Sequence, residues 1–213
     1  MRIAIVSDIH EDFHKLSKAL SILKGSGYDK LVCLGDIAGY NAKYYQHTPD
    51  ADKCIELIRA QADIVVIGNN DLDERRVDDK GRYHINDDNY QYLKQLPDFK
   101  IIDLDCGRVL FSHFFLSDKQ QIERKFPAIL SAMKSHFKFL EKENCRISFL
   151  GHWHTPIPMV MQHYYWMSPL KGQRKLKDKH KVVMCPALVS GISKSICLIW
   201  DTILYEIEQI IVD

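Results

Sequence analysis

Ile3-Ala4-Ile5-Val6-Ser7-Asp8-Ile9-His10 opens the chain, and Ile147-Ser148-Phe149-Leu150-Gly151-His152-Trp153-His154 repeats its plan far downstream. In both, an apolar run ends in one small residue, and a polar residue able to bind a metal follows at once. Three more segments between them share the plan. Leu31–Leu34 leads to Gly35-Asp36, Ile64–Ile67 to Gly68-Asn69, and Val109–Phe111 to Ser112-His113. Short runs of Ile, Val, Leu and Phe are the mark of buried strands. Residues just past the carboxyl ends of neighbouring strands gather along one sheet edge, where open α/β sheets place their ligands. The five runs therefore predict carboxylates, an amide and imidazoles delivered to one place.

The intervening segments predict the rest of the architecture. Phe13, Leu16, Leu20 and Leu23 fall at helical spacing before Lys24-Gly25-Ser26-Gly27, and residues 50–60 read as a second helix with Asp50 or Asp52 at its start. Strand–helix–strand alternation implies parallel strands with right-handed crossovers. The charged stretch Asp71–Asp88 reads as a surface loop, and residues 88–96 as a short helix stopped by Pro97. Residues 99–104 and 107–112 flank Asp105-Cys106-Gly107 as a hairpin. One long helix is predicted over 119–143. After His154 the pattern turns to strand, over 156–163, 181–189, 194–200 and 202–212. The expected class is α/β turning β-rich, a single domain over residues 1–213, with two packed sheets and helices outside.

Composition narrows the function. With 46% hydrophobic and 27% charged residues the chain is ordinary globular protein. A net charge of +1 argues against bulk attraction to nucleic acid or anionic membrane. No apolar run reaches the ~20 residues of a membrane span, and the first residues enter a strand pattern rather than a signal-peptide layout. Six scattered cysteines without a C-x-x-C pair read as reduced core residues of a cytoplasmic protein.

Asp8 and His10 lie two residues apart, as do His152 and His154. In extended backbone such pairs share a face and reach one ion. Gly35 and Gly68 let backbone come close before Asp36 and Asn69. Oxygen and imidazole donors together suit manganese, iron or zinc better than calcium. A lone D-x-H or a lone Gly-Asp turn says little; the ordered five-fold recurrence is what points to a site.

In that order (D-x-H, G-D, G-N-x-D, H, G-H-x-H) the chain resembles the calcineurin-like metallophosphoesterases over about residues 1–160. The motifs stand here as Asp8-Ile9-His10, Gly35-Asp36, Gly68-Asn69-Asn70-Asp71, His113 and Gly151-His152-Trp153-His154. Gly35–Tyr40 and Cys54–Ile58 are similar to the compact prokaryotic branch that includes small phosphodiesterases. The resemblance implies a four-layer αββα sandwich of two mixed sheets. It implies two transition-metal ions, one on Asp8, His10, Asp36 and His154, the other on Asp36, Asn69, His113 and His152. It further implies a metal-bridging hydroxide that attacks phosphorus, catalytic roles for Asp36, Asn70 and Asp71, and substrate contacts from Asn69, Asn70 and His113. The implied substrates are small phosphate esters, diesters above monoesters and nucleotides among them. A nucleotide hydrolase or nuclease, and a catalytically weak protein-binding scaffold of the same fold, stay open as alternatives. Homo-oligomer formation stays open as well.

Two departures stand out. The family often has histidine where Asn70 stands, and an amide cannot donate a proton as imidazolium does. Diesters or activated esters are then the favoured substrates, unless His14, His47 or His84 supplies the proton. The family's N-P-G-S-like turn corresponds to Cys185–Gly191, with no arginine close behind. Lys171–Lys181 carries six Lys or Arg residues and reads as a solvated hairpin end in preference to a phosphate contact. Trp153 is expected to pack on the outer face. Tyr164, Tyr165 and Trp166 are expected between sheets or at a subunit contact, with base stacking as the alternative, and Tyr40, Tyr44 and Tyr45 along a cleft or a dimer surface.

Overall fold

In chain order the elements are β1 (Arg2–Val6), α1 (Phe13–Ser26), β2 (Lys30–Cys33), α2 (Ala51–Gln61), β3 (Ile64–Val65), α3 (Asp87–Lys94), β4 (Phe99–Leu104) and β5 (Gly107–Ser112). They continue with α4 (Ile129–Lys142), β6 (Cys145–Leu150), β7 (Met159–His163), β8 (Trp166–Pro169), β9 (Arg174–Lys175), β10 (Val182–Met184), β11 (Ile196–Asp201) and β12 (Glu206–Ile211). The structure, a computed structural model, describes residues 1–72, 77, 84–116, 129–170, 174–191 and 194–212. No described helix is long and apolar enough to cross a membrane.

The strands form two mixed sheets, ordered β3-β2-β1-β11-β12-β9 and β4-β5-β6-β10-β7-β8. Their alternating side chains build three apolar layers. Ile3, Ile5, Val32, Leu34, Val109, Phe111, Ile147, Phe149 and Trp200 point inward and fill the space between the sheets. Ala4, Val6, Leu31 and Cys33 point the other way, onto Leu16 and Leu23 of α1 and Ile55 and Ile58 of α2. On the far side Leu110, Leu150, Val182 and Met184 meet Ala132, Met133 and Leu140 of α4. The result is the expected αββα stack. Each fully buried Leu, Ile or Phe in it contributes roughly 1.5–3 kcal/mol.

Local signals set the helix ends. The Asp12 carboxylate accepts from Lys15 N at 2.9 Å, and Gly27 closes α1 with φ 74°. Asp50 caps α2 by accepting from Lys53 N at 3.1 Å, and Asn86 caps α3 by accepting from Asn89 N at 2.8 Å. The hairpin of β4 and β5 pairs antiparallel from Phe99↔Ser112 to Leu104↔Gly107.

Several expectations need correction. The five motif-bearing runs do not share one sheet: β1, β2 and β3 lie in the first, β5 and β6 in the second. Of the run Ile64–Ile67 only Ile64–Val65 is strand; Val66 N makes the last hydrogen bond to β2, at Cys33 O, and Ile67 N turns away to Pro97 O. The long helix is described only as α4; the rest of 119–143 lies partly outside the described residues, as does most of the loop after Leu72. The basic segment is no simple hairpin end. Its described part leaves β8 in the second sheet, pairs as β9 with β12 in the first, and returns to β10. Trp153 does pack outward, edge-on to Phe115 at 5.7 Å. Tyr164 joins the α4 layer, but Tyr165 and Trp166 are exposed rather than held between the sheets.

Candidate metal centre

The carboxyl ends of β1, β2, β5 and β6 point to the same end of the sandwich, so residues from both sheets meet there. The loop after β1 is stitched to the loop after β2. Asp8 N donates to Gly35 O at 3.0 Å, Ile9 N and His10 N to Asp36 O at 2.8 and 3.0 Å, and Glu11 N to Ile37 O at 2.9 Å. Backbone continuing from β10 closes the other side, with Leu188 N on Ser7 O at 2.8 Å and Val189 N on Asp8 O at 3.0 Å. Two glycines permit the crossing. Gly35 has φ +92°, and a Cβ there would sit 2.5 Å from Gly68 N; a Cβ on Gly151 would overlap Ser7 Oγ and lie 2.9 Å from Asp8 Oδ2.

The paired residues do not share a face by extended alternation. Asp8, His10, Asp36, His152 and His154 all have positive φ, between 43° and 69°. Such backbone is costly for residues with a Cβ, and it persists where surrounding structure over-determines it, chiefly at functional sites. Tight left-handed turns, not a pleat, swing these side chains together.

All seven ligand-type residues converge. Ligand atoms of Asp8, His10, Asp36 and His154 lie within 4.8 Å of one another. The Nε2 atoms of His10 and His154 face each other at 3.1 Å, and His154 Nε2 is 3.1 Å from Asp8 Oδ1. Beside this group, His113 Nε2 lies 3.2 Å from Asn69 Oδ1 and 3.4 Å from Asp36 Oδ2. The His152 ring stands 5.2 Å from that of His113, centroid to centroid. Asp36 Oδ2 thus lies between the groups, 4.0 Å from His10 Nε2 on the other side. His113 Nδ1 lies 2.6 Å from Leu34 O and donates to it, so in the neutral ring that a metal ligand must be, Nε2 is the nitrogen left with a lone pair for the site.

The remaining two motif residues sit behind this front. Asn70 donates through N to Asp36 Oδ1 at 2.8 Å and through Nδ2 to Asp36 Oδ2 at 2.6 Å. Asp71 faces backbone: its carboxylate accepts from Asp36 N at 3.0 Å, Ala38 N at 2.9 Å and Gly68 N at 2.7 Å. It ties the loops after β2 and β3 together. Of the three histidines weighed as proton donors, His47 is pinned by Nε2 to His10 O at 2.9 Å with Nδ1 3.6 Å from Asp12. His84 Nε2 lies 3.7 Å from Glu11 Oε1, and His14 is exposed on α1.

The charges need a cation. Asp8 and Asp36 are buried, and among the described residues their ion pairs come from histidines alone. Burial pushes the Asp8 carboxyl up, but His154, His113 and His10 pull it well below the usual carboxylate range. Burial likewise opposes ionisation of Asp36, and His113 and His10 overcome it. Burial disfavours a charged His113, yet Asp36 and Asp8 raise it to about 9; burial and the charge on His113 lower His152 to about 4. Burial and the neighbouring Asp36 raise Asp71 to about 6.

Asp8 Oδ2 is served by Ser7 Oγ at 2.5 Å and His152 N at 3.1 Å, while Asp8 Oδ1 and His10 Nδ1 are buried without a hydrogen-bond partner. An orphaned carboxylate oxygen facing two opposed imidazole nitrogens is what a divalent ion would satisfy. The residues therefore fit a metal, and their mixed oxygen and nitrogen donors fit a transition ion.

Glu11 escaped the sequence reading, whereas Tyr45 was expected along a cleft or a dimer surface. The buried Glu11 carboxylate accepts from Gly39 N and Tyr40 N, both at 2.9 Å, and anchors the loop that carries Tyr44 and Tyr45. Tyr45 stacks on His10 with centroids 4.7 Å apart. Glu11 lies one position past D-x-H, but a lone glutamate there carries no periodic or motif signal.

A family model described as calcineurin-like phosphoesterase matches residues 1–185. The uncharacterized protein MJ0912 of Methanocaldococcus jannaschii is 28% identical over 228 aligned positions, which span 99% of this chain and 87% of that protein. A metallophosphoesterase from Sphaerobacter thermophilus superimposes with a TM-score of 0.74 at 23% identity, covering 100% of this chain and 89% of that one. A structure described as a novel archaeal phosphodiesterase gives 0.55 at 17% identity, with 99% of each chain covered.

Proposed function

Because the chain belongs to the calcineurin-like phosphoesterase family, we propose that it hydrolyses small phosphate esters, diesters foremost, at a centre of two transition-metal ions. Asp8, His10, Asp36 and His154 would hold one ion, and Asp36, Asn69, His113 and His152 would hold the other. When bound, such a pair activates water and neutralises charge on the phosphoryl oxygens. The chain's own residues do the rest. Leu34 O holds the His113 tautomer, Ser7 and His152 N turn Asp8 so that Oδ1 faces inward, and Asn70 clamps both oxygens of Asp36. Asp71 fixes the backbone on which Asp36 and Gly68 ride.

One observation carries the proposal most: two buried carboxylates meet only histidines as ion-pair partners among the described residues, with His154 Nε2 3.1 Å from Asp8 Oδ1 and His113 Nε2 3.4 Å from Asp36 Oδ2. Diester preference is supported by Asn70, which spends its amide on Asp36 and has no proton to give a poor leaving group. Against a scaffold, every expected ligand residue is present in the chain, and Asp8, His10, Asp36 and His154 cluster. The test is metal content and hydrolysis of bis-(p-nitrophenyl) phosphate with added manganese. Expected are two ions per chain and turnover, lost in Asp36→Ala and His152→Ala with folding intact. Two ions without turnover on any phosphate ester would favour the scaffold.

A further inference from the structure

Beside the metal centre lies a pocket of about 410 Å³ whose wall includes His154, Tyr44, Tyr45 and Gly191. A second hollow of about 340 Å³ shares Tyr44, Tyr45 and Gly191 and adds Lys15 and Asp12. Both fall in the size range of small-molecule sites. For an ester whose phosphate lies at His154, this hollow is within reach of one of its organic groups.

The two tyrosines in this wall behave differently. Tyr45 turns inward and is buried on His10. Tyr44 turns outward, and 58% of it is exposed. It stands edge-on to Tyr45, ring centroids 6.5 Å apart, in the wall of both hollows. It is also held in place. Tyr44 N and Tyr45 N both donate to Asn41 O, at 2.9 and 3.0 Å, and Lys43 N donates to Asn41 Oδ1 at 3.0 Å. This turn is braced from the far side, where Gly191 comes so close that a Cβ would lie 2.5 Å from Tyr44 O. Lys43 Nζ sits 5.5 Å from the Tyr44 ring centroid. Asp12, the acid in the wall, is already engaged with Lys15 N and near His47.

We propose that Tyr44 is a specificity-determining platform on which an aromatic ring of the substrate stacks, so that the esters bound best carry a planar base, as a nucleoside does. This deepens the phosphoesterase proposal and rests on it. Every base offers a π-face, and stacking on an aromatic side chain discriminates strongly in favour of ligands that have one. The ring is pre-positioned, so little ordering is needed on binding.

Calorimetric titration of the manganese-loaded protein with inorganic phosphate, ribose 5-phosphate and adenosine 5′-monophosphate tests it. The nucleotide should bind about 5- to 100-fold more tightly than ribose 5-phosphate. Tyr44→Ala should erase that advantage, and Tyr44→Phe should keep it. Equal affinities in the wild type, or an advantage that survives Tyr44→Ala, overturns the platform while leaving the phosphoesterase proposal standing. If none of the three ligands binds, inorganic phosphate included, the phosphoesterase proposal fails and the platform falls with it.

Discussion

His136 should make the fold lose stability below neutrality, by an amount that can be worked out. It is completely buried in α4, where Nδ1 accepts from Leu116 N at 3.1 Å and Nε2 donates to Ser148 Oγ at 2.9 Å. Burial lowers its pKa from 6.5 to about 3. In the unfolded chain the ring takes a proton near pH 6.5; in the fold it does not until about 3. Between those values the unfolded state binds more protons, so stability falls as pH falls. The slope reaches about 1.4 kcal/mol per pH unit. Between pH 7 and pH 5 the loss from this ring is about 2 kcal/mol. A charged ring would also turn Nδ1 into a donor facing the Leu116 N–H. Urea unfolding of metal-free protein, in chelator, at pH 7, 6 and 5 measures the slope. His136→Gln should flatten it by that amount, whatever fixed cost the substitution brings at pH 7. Parallel slopes in wild type and variant would refute the assignment of a neutral buried ring.

Gly151→Ala should cost about 1–3 kcal/mol, because its Cβ overlaps Ser7 Oγ against a tightly packed loop, and it should lower the metal bound per chain. Gly25→Ala is the internal control of opposite sign. Nothing lies within 4 Å of a Cβ there, inside α1, so a gain of about 0.5–1 kcal/mol is expected; thermal unfolding reads both, and equal shifts would count against the steric account. Asn70→His should raise turnover of an alkyl phosphate by about 100-fold or more while changing an aryl phosphate little, since only the poor leaving group needs a proton. Equal effects on both esters would mean that Asn70 acts through its hold on Asp36 instead.

The ligand-type residues were legible in the sequence because each of five apolar runs, three or four residues long, is followed by one small residue and then a polar group. The helix ends were legible for the same local reason: Asp12, Asp50 and Gly27 do what their side chains, or lack of one, permit. Sheet membership was not. β1 and β6 read alike, yet one pairs with β2 and β11 and the other with β5 and β10. Those choices depend on partners almost two hundred residues away, as Ile3 facing Trp200 illustrates. Nor does a motif reveal what its carboxylate faces. Asp36 and Asp71 are both the acid of a Gly-containing turn, but one turns to the imidazoles and the other to three backbone amides. Glu11, which holds the Tyr44 loop through Gly39 and Tyr40, is visible only once the loops are seen to cross.

That crossing explains why so many residues at the site tolerate left-handed backbone. Each such residue costs roughly 1–2 kcal/mol in isolation, and no single loop could hold several of them. Here the loop after β1 is bound along Asp8 to Glu11 to the loop after β2, and at Ser7 and Asp8 to Leu188 and Val189. The N–H groups of Asp8, Ile9, His10 and Glu11 all find carbonyls on the loop after β2, so abandoning the left-handed turns would strand buried backbone groups. The geometry at Asp8, His10 and Asp36 is therefore a property of the joined loops rather than of any one motif. The two sheets and the hydrogen bonds between their end loops thus set where Asp8, His10 and Asp36 stand.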